Sequence, residues 1–295
     1  MPRRRHDYLK SMLEAITARL PFTPKPPLVS VVRLHGVIGQ AGRFGSGLSL
    51  TGVAGLLERA FAPAKQAAVA LVVNSPGGSP VQSSLIARRI RDLAAEKKVP
   101  VIAFTEDVAA SGGYWLACAA DEIWADESSL IGSIGVLFSG FGFHDFIQRH
   151  GVERRLFTSG ERKAMLDPFL PQREEDVAHL RAIQDDIHEA FKAMVRDRRA
   201  GRLKGDENVL FSGEFWAGRK ALGFGLVDGI GDPRTVLRRR FGDKVRLRLV
   251  EGQRGWLRRR LRMTARPAGH GLAGEAAGAV LTALEERALW GRFGL

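Results

Sequence analysis

The sequence predicts an α/β domain, and three observations carry the prediction. Short β-branched runs alternate with amphipathic stretches of helical period, one run (Ala68–Val73, AVALVV) is apolar enough to be a strand buried on both faces, and no repeat of fixed period is present. LVSVVRLHGVIG, from Leu28, reads as the first strand. After AVALVV comes the turn NSPGG, with Ser79 as the expected N-cap and Pro80 as the first helical residue. Val81, Leu85, Ile90 and Leu93 then mark the expected inner face of a helix ending near Lys98. VPVIAF (Val99–Phe104) is the next strand, a helix is expected from Ser111, and DEIWAD adds a short strand. VERRLFT (Val152–Thr158) reads as another strand. The longest helix is expected over about 173–199, with Val177, Leu180, Ile183, Ile187, Phe191 and Met194 as its apolar stripe. A short helix, a strand at GLVD and a turn complete the domain.

Both ends read as appendages. A short amphipathic helix is expected at Tyr8–Leu20, and the Pro-rich PFTPKPP ends it and acts as a linker. Residues 1–27 are therefore taken as an N-terminal extension and 28–250 as the main domain. Residues 251–295 are taken as a basic linker with a final amphipathic helix ending ALWGRFGL.

The chain has 295 residues, 45% of them hydrophobic, enough for a large core. A single cysteine, Cys118, excludes an internal disulfide and any cysteine-rich zinc site; its setting, YWLACAA, suits a small buried hydrophobe. The net charge of +13 is concentrated: Arg234 to Arg262 hold twelve Lys/Arg against two Asp/Glu and so carry +10 of it. That stretch is either a solvated face or a contact for phosphates or anionic lipid. With no aromatic platform beside it, nucleic acid is not expected as the main partner. Leu289, Trp290, Phe293 and Leu295 fit an interfacial membrane patch or the packing of that helix on a neighbouring subunit. The N-terminus shows no secretory signal, and the longest uncharged central stretch, Ser128–Phe143, is shorter than the roughly 18–20 apolar residues of a spanning helix. The expected location is cytoplasmic, or peripheral at the inner face of a membrane. No metal-ligand cluster and no dinucleotide or P-loop spacing is present, so no cofactor is expected.

Three groups of residues could carry chemistry. In DVAASGGYW, Ser111 stands between a strand and two glycines that open a helix. It is either a helix N-cap or a nucleophile whose oxyanion would meet the Gly112 N–H. In NSPGG, the Gly78 N–H could be a second oxyanion donor at the carboxyl end of a buried strand, or the turn could be an ordinary strand-to-helix connection. A serine needs a base. None of the seven histidines lies in a comparable glycine-rich turn. Lys163, which follows VERRLFTSG, is either a solvated lysine or a desolvated base. A free lysine is neutral in about one molecule in 2,500 at pH 7, and burial can raise that fraction to a tenth or more.

VVNSPGG, ASGGYWLACAAD, SLIGSIGV and the Gly-Glu-Arg-Lys-Ala stretch before DPF occur in the order found in the signal peptide peptidase A family of bacterial Ser–Lys proteases. The chain resembles that family over roughly residues 28–232. The resemblance implies a ClpP/crotonase-like spiral of repeated ββα units, Ser111 as nucleophile, Lys163 as general base, Ser133 as the serine that orients the lysine, and Gly78 and Gly112 as oxyanion donors. It further implies peptide or unfolded-protein substrates with small and apolar side chains, and homo-oligomeric rings of four or eight subunits. Many members also carry an N-terminal membrane anchor, where this chain has only the Tyr8–Leu20 helix. The alternative on the same fold is an acyl-CoA hydratase or isomerase of the crotonase group, which shares the Lys220–Asp228 segment (KALGFGLVD) but needs carboxylates beside the Gly-rich turns.

Overall fold

A computed structural model describes residues 25–39, 47–251, 284 and 286–295. The expected Tyr8–Leu20 helix and most of the basic linker fall outside these residues. One eight-stranded sheet dominates. Its central strands are β1 (Leu28–His35), β2 (Ala68–Ser75) and β3 (Val101–Ala110), all parallel. β2 is buried along almost its whole length, which is why it reads as a continuous apolar run. β8 (Arg246–Leu249) adds to the free side of β1. On the other side β3 pairs along its length with two short strands, β4 (Glu122–Ala125) and then β5 (Leu130–Gly132). β6 (Phe215–Ala217) runs antiparallel to β5, and β7 (Gly229–Ile230) pairs with β4.

The helices between residues 47 and 251 are α1 (Leu50–Phe61), α2 (Pro80–Lys97), α3 (Gly112–Ala117), α4 (His144–Arg149), α5 (Glu174–Arg198), α6 (Glu207–Leu210), α7 (Gly218–Gly223) and α8 (Pro233–Phe241). Ser79 caps α2 as expected: its side chain accepts from the Gln82 N–H, and Pro80 opens the first turn. Lys98 ends that helix in the left-handed conformation.

The structure departs from the sequence reading in several places. Val81 and Leu85 face outward, because Ile86, Ala87, Ile90, Leu93 and Ala94 fill the contact with the sheet. Val152–Thr158 forms no strand. It is exposed throughout, its arginines pair locally (Arg154 with Asp167, Arg155 with Glu153), and it has no strand beside it to complete a ladder. The strand expected at GLVD falls one step later, at β7, since Asp228 is used to accept from the Ile123 N–H and to pair with Arg199. Of the expected stripe of α5 only Phe191 is buried, and Val195, not Met194, is the buried residue of the next turn.

Candidate active site

β2 and β3 end beside each other, and their turns touch. A Cβ on Gly77 would lie 2.7 Å from the Ser111 Cβ and 2.9 Å from the Gly112 nitrogen, so the turns pack backbone to backbone. A Cβ on Gly78, whose φ is +139°, would lie 2.0 Å from the Ile38 carbonyl oxygen, so only glycine fits there. Ile38 grips the turn by donating to the Gly77 carbonyl and accepting from the Ser79 N–H. Both bonds leave the Gly78 N–H unused. Among the described residues, no hydrogen bond engages the N–H of Gly78 or of Gly112.

Ser111 sits at the junction of β3 and α3 with φ 52° and ψ −124°, a conformation costly for a residue with a Cβ. Its side chain makes no capping bond to α3, which removes the N-cap as the reason for a serine here. A strained serine between a strand and a helix, with its hydroxyl unspent, is the geometry of a nucleophile elbow. The register then brings in Ser133. Ala110 pairs with Gly132, and the Ser111 N–H donates to the Gly132 carbonyl, so the next residue on each strand is a serine. Ser133 is buried, has φ 52°, and is tied to the residue before β6 by donating its N–H to the Glu214 carbonyl.

A cleft of about 260 Å³ opens over Ser111. Its apolar lining includes Trp115, Val136, Leu137, Ile187 and Phe191, and the Trp115 and Phe191 rings stack at 4.7 Å. Among the described residues no Asp or Glu lines it, so none of them supplies the carboxylates that a crotonase-type hydratase requires.

Lys163 is not brought to this cleft. It lies exposed in a turn whose N–H donates to the Gly160 carbonyl, and among the described residues no hydrogen bond joins it to Ser111 or Ser133. The segment that carries it, residues 136–173, is held mainly by local bonds such as Phe143 N–H to the Pro168 carbonyl. Phe138, Phe141, Phe143, Phe146 and Phe157 are all exposed on it. Among the described residues, three histidines are engaged elsewhere. His35 Nε2 lies 2.9 Å from the Glu106 carboxylate, His188 Nε2 is 3.0 Å from the Ile134 carbonyl, and His150 bonds the Phe146 carbonyl.

A buried network behind Ser111 holds its helix, and the sequence reading missed it. Tyr114 of α3 donates to the Leu226 carbonyl at 2.7 Å. Arg199, at the end of α5, is 1% exposed; it donates to the Gly225 carbonyl and to both oxygens of Asp228. Burial works against its charge, but the Asp228 partner outweighs this and holds its pKa above the usual arginine value. Arg198 caps the far end of α3 by donating to the Cys118 and Ala120 carbonyls. Burial pushes the Cys118 thiol up to about 12, so it is an inert packing residue, as its neighbours suggested. The sequence signal for this network was KALGFGLVD, which places Asp228 after a tight glycine turn.

Residues 94–244 match the model of peptidase family S49. The chain is 50% identical over 272 residues to the Na(+)/H(+) antiporter NhaA of Brucella abortus, a match covering 90% of this chain and 37% of that protein. It is 32% identical over 231 residues to Protease 4 of Haemophilus influenzae, covering 76% of this chain and 35% of the relative. A putative protease of Synechocystis is 31% identical over 203 residues, covering 66% of this chain and 72% of the relative. The chain thus spans little more than a third of the first two. Among solved structures, the 1510-N membrane-bound stomatin-specific protease matches with a TM-score of 0.49 and 15% identity, over 78% of this chain and 100% of that one. With its glycine turns, its strained serine and this match over half its length, the chain belongs to peptidase family S49.

Proposed function

We propose that this chain is a serine endopeptidase that hydrolyses unfolded or apolar peptides through a Ser111–Lys163 dyad and an acyl-enzyme. The observation that carries the reading is Ser111 itself, held in a strained conformation at a helix mouth with no capping role, beside two unspent backbone N–H groups. Neutral Lys163 takes the hydroxyl proton as the oxygen attacks a peptide carbonyl. Gly78 and Gly112 N–H groups hold the oxyanion, a contribution typically worth about 2.7–4 kcal/mol per donor. The charged lysine then protonates the leaving amine, and water repeats the cycle on the ester. Ser133 orients the lysine.

Within one chain Lys163 lies outside the cleft, so the reading requires its segment to move. The exposed phenylalanines of residues 136–173 supply a reason: burying them in a homo-oligomer of four or eight subunits would desolvate the lysine as well. Residues 28–250 form the protease unit in this proposal, and Arg234–Arg262 offers a peripheral contact to an anionic membrane from the cytoplasmic side. Among the described residues, no helix is long and apolar enough to cross a membrane.

The test is hydrolysis of an unfolded protein and of fluorogenic apolar peptides by the purified full chain. Ser111→Ala should fall to background, and Lys163→Ala should lose roughly 10²–10⁴ in rate. Peptidase activity persisting in purified Ser111→Ala ends the assignment. Full activity in Lys163→Ala removes the lysine as base.

A further inference from the structure

The end of the chain forms part of the cleft. Residues 286–291 are helical, and Leu289 and Arg292 line the same cavity as Ser111, Gly78 and Trp115. The contact is anchored. Phe293 is 8% exposed and packs on Val108 and Ala110 of β3, the strand that delivers Ser111. Its ring meets Phe215 edge-on at 4.9 Å, and Trp290 and Leu130 pack around it. Leu289 lies in the helical stretch, and Arg292 and Phe293 lie in the turn that follows it. One side of the segment is thus bound to the sheet while a neighbouring side faces the cleft. This places Phe293 within its own domain, not in the membrane-facing or intersubunit patch that its composition suggested.

Leu289 and Arg292 give that wall two chemistries. Leu289 continues the apolar surface of Ile187 and Phe191. Arg292 is an exposed guanidinium that forms no ion pair among the described residues, and among those residues no carboxylate lines the cleft to answer it. We propose that the segment 286–293 is a specificity wall of the substrate cleft, in which Arg292 favours a peptide carboxylate near the apolar side chain that fills it and disfavours an ammonium there. The inference rests on the peptidase reading above for its substrate class.

The experiment uses sets of otherwise identical apolar peptides carrying Glu, Gln or Lys at single positions flanking the cleaved bond. Turnover by the full chain and by Arg292→Glu is read as kcat/KM for each peptide. Binding of the same peptides is measured on Ser111→Ala and on Ser111→Ala/Arg292→Glu, which need no turnover. At one flanking position at least, the chain with Arg292 should prefer Glu over Gln by about two- to fivefold, the scale of a solvent-accessible ion pair. Arg292→Glu should reverse the order and favour Lys, and the effect should shrink as salt is raised. Identical Glu, Gln and Lys ratios with and without Arg292, or no peptide binding by either inert variant, overturns the proposal. Loss of the peptidase reading would look different: cleavage would not depend on Ser111, while the binding arm would still report on Arg292.

Discussion

Replacing Asp228 by alanine tests the support behind α3, the helix that follows Ser111. Arg199 is 1% exposed and spends its donors on Asp228 and on the Gly225 carbonyl. Asp228→Ala leaves that guanidinium buried without a counter-charge, and breaking a buried pair from one side typically costs about 3–5 kcal/mol. The Ile123 N–H, which donates to Asp228 at 2.7 Å, loses its acceptor at the same time. At about 2–4 °C per kcal/mol for a domain of this size, Tm should fall by roughly 6–20 °C. Circular dichroism melts and urea titrations measure it. Arg199→Met/Asp228→Leu removes both charges and should regain much of the loss. The recovery should stop short of complete, because an unpartnered Ile123 N–H still costs about 1–3 kcal/mol. A Tm drop below about 3 °C for Asp228→Ala, or a double variant no more stable than the single one, would refute the account.

Two further outcomes follow from the site. Gly78→Ala should lose about 10²–10³ in kcat, because an added Cβ 2.0 Å from the Ile38 carbonyl and a φ of +139° displace the proposed oxyanion donor; steady-state kinetics of a variant shown folded by circular dichroism checks this. Cys118 should resist iodoacetamide at pH 8 in the folded chain and react fully in urea, since burial holds its thiol at about 12; mass spectrometry after timed quenching reads both states, and rapid native labelling would contradict the buried placement.

The parts of the fold visible in the sequence were those fixed by local patterns. AVALVV must be a strand buried on both faces, and Ser79-Pro80 must start a helix, because each signal is complete within a few residues. Short strands escaped notice for the opposite reason. β5 and β6 have three residues each, too few to show a period, and they exist only because β3 offers an edge to β5 and β5 one to β6. VERRLFT has the composition of a strand but no such edge, so it stays irregular. The phase of α2 was misjudged at Val81 and Leu85 because the small residues Ala87 and Ala94, which settle the inner face, carry little weight in a hydrophobic pattern.

The same distinction runs through the site. Ser111, Gly112 and Gly78 stand together because they end neighbouring parallel strands, and a parallel ladder fixes its register over many residues. Ser133 joins them through the three paired residues of β5, one step beyond the last pair. Lys163 has no ladder. It follows Ser133 by thirty residues of chain held by local turns, so sequence order alone cannot say where its amine rests. The backbone groups that would stabilise an oxyanion are therefore built into the sheet. The placement of Lys163, the base in the proposed dyad, depends on whatever packs against residues 136–173, so under that proposal the fold would keep a strained serine in place and leave its activation to a separate event.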